Sequence, residues 1–374
     1  DVTDARYHEA YLRMLDALGE SGILASDEVL GAVLCWASGS NGEEGEGYEG
    51  DDLDRAARME ERMRRWSEIM GDKRNRLLWV GSQNPEGHDP MGLAQELGIG
   101  QRSGFVETYL IHATNPHLGQ RVTEHRYLVV DERNPWIQGG RLFGDENEEY
   151  LWRERLHGLP GTSPYRFHNS MLRFLQMRRN YLYTHSETPD PELLHYVLLT
   201  MGKGIDGTPD AWCALRESHL SQFHVDGPEG PMKNLERGLH QRDRPGFETV
   251  AVEPMPNPVR NLWLAEKSHP YQEIARRGKR IGFAVDDRFL HGAGHQVALK
   301  VTYLDLGNGS WKVTTTDPEK TLAKHTCGDT GGLRTATFLL DDAPFQAHGM
   351  DFDFVIEGID GYEPTIAFVR VIEL

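Results

Sequence analysis

Apolar residues along this chain change period once, from helical to alternating, and the change falls near Ser221. Ahead of it, Tyr7, Tyr11, Met14, Leu15 and Leu18 recur at helical spacing, with Gly19 and Gly22 as stop signals. Residues 29–36 then read as a strand that is apolar on both faces, the pattern of a buried parallel sheet. Leu53, Ala56, Met59, Met63, Trp66 and Met70 mark a second amphipathic helix, opened by Asp51 and Asp52 and closed by Gly71. Next come a strand over 76–81, a short helix over 91–97 and a strand over 104–111. Strands over 126–130 and 140–143, helices over 169–183 and 191–202, and a short segment holding Trp212 and Leu215 complete this half. Strands separated by helices imply parallel pairing with right-handed crossovers, so this half is a (β/α)-barrel or an open doubly wound sheet.

Past Ser221 the chain is first rich in Pro and Gly, as in Gly227-Pro-Glu-Gly-Pro231 and Pro254-Met-Pro-Asn-Pro258. Short strands are then predicted over 281–285, 297–304, 311–315, 335–340, 352–356 and 365–372. Asn308-Gly309 between two of them is a hairpin signal. Phe352, Phe354 and Ile356 alternate with Asp351 and Asp353, which predicts one buried face. The expected architecture is therefore α/β plus all-β: a (β/α)-barrel-type domain, whole or partial, over 1–220, then an antiparallel β-sandwich of jelly-roll type over 221–374.

A hydrophobic fraction of 38% with 26% charged residues leaves no reason to expect disorder. The net charge of -18 argues against nucleic acid and anionic membrane as partners and leaves a neutral glycan open. The basic runs at 62–65 and 276–280 are short enough to be solvated faces. Cys35, Cys213 and Cys327 form no CxxC pair, which excludes a disulfide framework and a zinc ribbon. No stretch reaches the length of a membrane helix. A GxSxG elbow, a P-loop and an HExxH pair are all lacking, so no cofactor and no catalytic metal are expected.

The chemistry of the chain is concentrated in two acidic, glycine-studded segments, each after a strand-like run: Gly39-Ser-Asn-Gly-Glu-Glu-Gly-Glu46 and Phe143-Gly-Asp-Glu-Asn-Glu-Glu149. Glycine lets the backbone turn sharply and approach a ligand where a parallel strand ends. Cleavage of a glycosidic bond needs one carboxylic acid held protonated and a second held ionised. Clustered acids such as Glu43, Glu44 and Glu46 raise at least one pKa by mutual repulsion, which suits the acid. The plainer readings are a solvated acidic loop or a carboxylate cation site. Flat rings and polar groups for a sugar are offered by Trp36, Trp79, Tyr109, Trp136, Tyr150, Gln83, Asn84, His88 and His112, with Glu107 as a third cleft carboxylate, although each aromatic also fits a core.

These motifs resemble those of glycoside hydrolases of the retaining clan built on a (β/α)8 barrel with an appended β-sandwich. Gly39, Gly42, Gly45 and Glu46 match the G-x-x-G-x-x-G-E pattern after the fourth barrel strand, and Gly144-Asp-Glu146 is similar to the seventh-strand end. The resemblance implies Glu46 as acid/base and Glu146 as nucleophile, with Glu148 and Glu149 as alternatives; Trp36, Asn84, Glu107, Tyr109 and Glu149 are the expected substrate contacts. Residues 301–311 likewise resemble the sandwich domains of bacterial polysaccharide-degrading enzymes. The resemblance further implies secretion or a periplasmic location, a glycan substrate, and first three βα units that have no counterpart here, so that a missing barrel segment or a second copy is the expected partner. A non-catalytic carbohydrate-binding or assembly protein is the rival reading. A polysaccharide lyase, which would need a Tyr, His or Lys base, is the third.

Overall fold

The computed structural model describes residues 5–34, 53–80, 89–103, 119–147, 163–184, 190–218, 232–252, 272–273, 275–316 and 319–374. The chain forms two compact units, 1–121 with 129–202, and 122–128 with 203–374.

Unit 1 is built on a five-stranded sheet of β1 (Ala32–Val33), β2 (Leu77–Val80), β3 (Gly100–Ser103), β6 (Phe143–Asn147) and β7 (Tyr181–Thr184). Every neighbouring pair is parallel and the strands lie in chain order. That order is the winding of a half-barrel and differs from a doubly wound sheet, whose strand order reverses at a switch point. The helices between strands are α2 (Leu53–Met70), α3 (Pro90–Leu97), α4 (Pro135–Gln138) and α5 (Ser163–Gln176), with α1 (Ala5–Glu20) before and α6 (Pro191–Thr200) after. Methionines at 59, 63, 70 and 91, with Leu15 and Trp66, pack on Leu77, Trp79, Phe143 and Trp136 in one core. Asp89 and Asp190 cap α3 and α6 through their carboxylates, each with Pro at the first helical position. The strands β4 (Gln120–Val122) and β5 (Leu128–Val130) form a separate two-stranded ribbon.

One prediction in this unit fails instructively. The helix expected over 169–183 stops at Gln176, and β7 follows it. Arg178 takes a left-handed φ of 59°, which ends the helix. Asn180 then fastens the new strand: its Oδ1 accepts from the Phe143 amide at 2.7 Å and its Nδ2 donates to the Arg141 carbonyl at 2.7 Å.

Unit 2 consists of antiparallel sheets. Its eight-stranded sheet contains β8 (Asp210–Ser218), β9 (Met232–Arg237), β11 (Val250–Val252), β12 (Gln272–Glu273), β13 (Ala275–Arg277), β15 (Gly292–Leu304), β18 (Leu333–Phe345) and β20 (Thr365–Glu373). Its five-stranded sheet has the order β10 (Leu239–Gln241), β14 (Arg280–Val285), β19 (Phe354–Gly358), β16 (Ser310–Thr316) and β17 (Glu319–Thr326). One hydrophobic core draws on both: Cys213, Leu299, Val301 and Val369 from the first, Phe283, Trp311, Val313 and Ile356 from the second. Trp212 and Leu215, read from periodicity as the end of the helical half, lie in β8 and pair antiparallel with β20 and β9.

Asn308-Gly309 does not close a hairpin, because β15 and β16 belong to different sheets. The turn carries the chain from one sheet to the other and is pinned from outside. Gly307 donates to Asp329, and Asp305 accepts from the Gly328 and Thr330 amides and the Thr330 hydroxyl. A Cβ at Gly309 would lie 2.0 Å from the Tyr362 ring. The alternation around Phe354 also breaks: Asp353 is buried and accepts from the Val285 and Ala347 amides at 2.8 and 3.1 Å. Burial pushes its carboxyl up to about 6.

Candidate functional site

The five described strands of the unit 1 sheet are parallel, so their C-terminal ends lie along one edge of the sheet. Residues 35–52 follow β1, 81–88 follow β2, 104–118 follow β3 and 148–162 follow β6. Trp36 and Glu46 belong to the first of these segments, Asn84 to the second, Glu107 and Tyr109 to the third and Glu149 to the fourth. Those six positions lie outside the described residues, as do Cys35, Gln83, His88, His112 and Tyr150. Glu146 is in β6, where its backbone pairs with that of Tyr183 in β7.

The register sorts the strand positions into alternating rows. Trp79, Gln101 and Phe143 are aligned across β2, β3 and β6; the next row holds Val80, Arg102, Gly144 and Tyr181. The row of Trp79 and Phe143 is the one covered by helices, and both rings are fully buried. Trp79 and Trp136 are therefore core residues and are withdrawn as sugar-stacking rings; Trp136 stacks on Phe143 with centroids 6.1 Å apart. By the two-residue period of a strand, position 146 belongs with the Arg102 and Gly144 row. Tyr183, half exposed at 51%, is the aromatic that the register sets beside position 146.

Local packing fixes where β6 runs. A Cβ at Gly144 would lie 1.9 Å from the Tyr181 carbonyl oxygen, so only glycine lets β6 and β7 pair this closely. Arg179, wholly buried, donates to Gln101 Oε1 at 3.0 Å and lies 3.9 Å over the Phe143 ring. Arg178 is paired with Glu132 at 2.5 Å, both buried. Among the described residues of unit 1, no three His, Cys, Asp or Glu side chains converge closely enough to hold a metal ion.

A second ionisable cluster lies in unit 2, around Glu236 of β9. Its Oε1 accepts from Arg242 at 2.6 Å, Asn234 at 3.1 Å and the Gln241 amide at 3.2 Å, and its Oε2 meets His240 Nδ1 at 3.0 Å. Burial pushes this carboxyl up, but Arg242 and His240 outweigh burial and hold it at about 2. A carboxylate held ionised between Arg242 and His240 and wholly buried has no proton to give, so the cluster is a structural lock. Neighbouring Cys213 is fully buried and its thiol is pushed up by burial, which excludes it as a nucleophile.

Helical apolar spacing hides Tyr181 and Tyr183, which lie in β7. The signal was present in the alternation of Tyr181-Leu-Tyr-Thr184 behind the polar Arg178-Arg-Asn180.

No protein-family model and no curated protein sequence matches this chain. Among solved structures it is similar to the isomalto-dextranase of Arthrobacter globiformis T6 in complex with panose, at 13% identity and a TM-score of 0.29, over 99% of this chain and 73% of that one. It is also similar to CapF with the inhibitor 3-isopropenyl-tropolone, at 9% identity and a TM-score of 0.19, over 88% of this chain and 87% of that one. Both scores lie below the level of a shared fold.

Proposed function

We propose that this chain is a glycoside hydrolase that cleaves a polysaccharide or oligosaccharide with retention, using Glu46 as acid/base and Glu146 as nucleophile. One observation carries the reading. In the sheet order β1-β2-β3-β6-β7, the strand before Glu46 and the strand holding Glu146 are separated by two strands, the spacing of the fourth and seventh strands of a barrel. The five strands then correspond to the fourth through eighth, with β7, the strand missing from the sequence reading, as the last.

Three strand spacings of about 4.8 Å amount to about 14 Å along a flat sheet. A retaining pair requires about 5 to 5.5 Å, which the curl of a barrel sheet and the reach of two glutamates toward its axis would have to supply. Glu146 would attack the anomeric carbon as the bond to the leaving oxygen breaks, and Glu46 would give that oxygen its proton. Glu46 would then take a proton from the water that displaces Glu146. Trp36, Asn84, Glu107, Tyr109 and Glu149 would contact the glycan, with Tyr183 added to them. Unit 2 is read as a jelly-roll-type β-sandwich without catalytic residues.

Reducing-end release from a panel of soluble glucans and other glycans, compared for the native chain, Glu46→Gln and Glu146→Ala, tests the assignment. Turnover should be lost in Glu146→Ala while glycan binding persists, and activity surviving both substitutions would remove it. The alternative is a non-catalytic carbohydrate-binding or assembly protein. Glycan binding by a chain that turns over nothing on the panel would select that alternative.

A further inference from the structure

We propose that Asp287, His291 and His348 form a binding site for a divalent transition metal of zinc type in unit 2. The site would clamp two connections that cross between its sheets. Asp287 and His291 lie between β14 and β15, and His348 lies between β18 and β19. Since β14 and β19 belong to the five-stranded sheet and β15 and β18 to the eight-stranded one, both connections pass from one sheet to the other.

The three ligand atoms all lie within 4.8 Å of one another. His291 and His348 stack with centroids 4.6 Å apart at 29°. His348 Nδ1 stands 3.6 Å from Asp287 Oδ2. That is too long for a good hydrogen bond. It is close to the about 3.3 Å that separates neighbouring donor atoms on a tetrahedral zinc with bonds of about 2.0 to 2.1 Å.

Both loops are held in place independently of any ion. The Gly349 amide lies 3.3 and 3.4 Å from the two Asp287 oxygens. Asp353 holds the second loop through the Ala347 amide and the end of β14 through the Val285 amide. The nearby cations are engaged elsewhere, Arg288 with Asp286 and Arg244 with Asp351. Two imidazoles and one carboxylate suit zinc or a neighbour of it, not calcium, which takes oxygen ligands throughout. The site is independent of the proposed glycosidic chemistry, and its role is to join the two crossings.

The full chain, stripped with chelator, is titrated with zinc chloride by calorimetry, and its melting temperature is recorded with and without zinc. All three side chains are exposed, so Asp287→Asn and the double variant His291→Ala/His348→Ala should fold, which circular dichroism checks. Loss of even an outer-shell partner commonly weakens metal binding about 10- to 100-fold. Each variant should therefore lose about 100-fold or more in affinity, and the zinc-dependent rise in melting temperature should vanish in the double variant. Absence of zinc binding by the native chain would overturn the proposal. Undiminished binding by the double variant would also overturn it, because the metal would then sit among the other histidines of the 17 in the chain.

Discussion

Replacing Glu236 by Gln removes the charge that Arg242 and His240 share while keeping the shape of the side chain, so the cost reads out the buried lock of unit 2 directly. Glu236 is held at about 2 against an ordinary 4.5, a shift of about 2.5 units, which at about 1.4 kcal/mol per unit gives about 3 kcal/mol. Breaking a buried pair by removing one partner costs about 3–5 kcal/mol by an independent route, because the partner is left uncompensated. The two figures agree. A carboxyl whose pKa is depressed by folding contributes stability above its unfolded value, near 4.5, and loses it as pH falls toward 2. Glu236→Gln should therefore cost about 3 kcal/mol at pH 7 and about 1.4 kcal/mol at pH 3. The assay is urea unfolding followed by hydrogen-exchange protection of the β8–β10 amides, which reports unit 2 alone. Adding Arg242→Met to Glu236→Gln should recover much of the loss. A cost below about 1 kcal/mol at pH 7, or equal costs at both pH values, would refute the lock.

Two further substitutions separate structure from chemistry. Gly144→Ala places a methyl group against the Tyr181 backbone carbonyl, which cannot rotate away, and should destabilise unit 1 by about 3 kcal/mol, the upper end for overpacking, with urea midpoint as the readout; an unchanged midpoint would contradict the close approach of β6 and β7. Asp305→Ala removes the acceptor of three hydrogen bonds that pin the inter-sheet turn, and should lower the melting temperature while leaving kcat on any glycan substrate unchanged; loss of turnover in folded protein would place catalysis in unit 2.

The repeating helix and strand periods make the parallel sheet legible in the sequence, because amphipathic helices such as α2 and doubly apolar strands such as β2 differ in period and composition. What stayed hidden depended on partners distant in sequence. Tyr181–Thr184 continues the apolar spacing of the preceding helix, and only the left-handed turn at Arg178 and the grip of Asn180 on Phe143 and Arg141 separate the two. Asn308-Gly309 marks the break between two strands, yet such a break does not specify which sheet the next strand joins; Asp305, Asp329 and Tyr362 hold it in place. Asp353 reads as an outward position until its two amide donors are known. The metal cluster draws its ligands from two loops on either side of β15 to β18, so no local spacing betrays it. For the candidate site, the glycine-acid segments were visible as composition, and the sheet order supplied the relation between the strands that precede or hold them.

The central claim, that Glu146 is the nucleophile of a retaining glycosidase, is tested most directly by azide rescue of Glu146→Ala on an activated aryl glycoside of whichever sugar the native chain cleaves. A small anion can occupy the space left by the carboxylate and attack from its side. The account predicts that azide restores aryl release in a concentration-dependent manner and that a glycosyl azide of inverted anomeric configuration accumulates, identified by nuclear magnetic resonance. Full hydrolysis by Glu146→Ala without azide, or release in azide with no glycosyl azide formed, would contradict it.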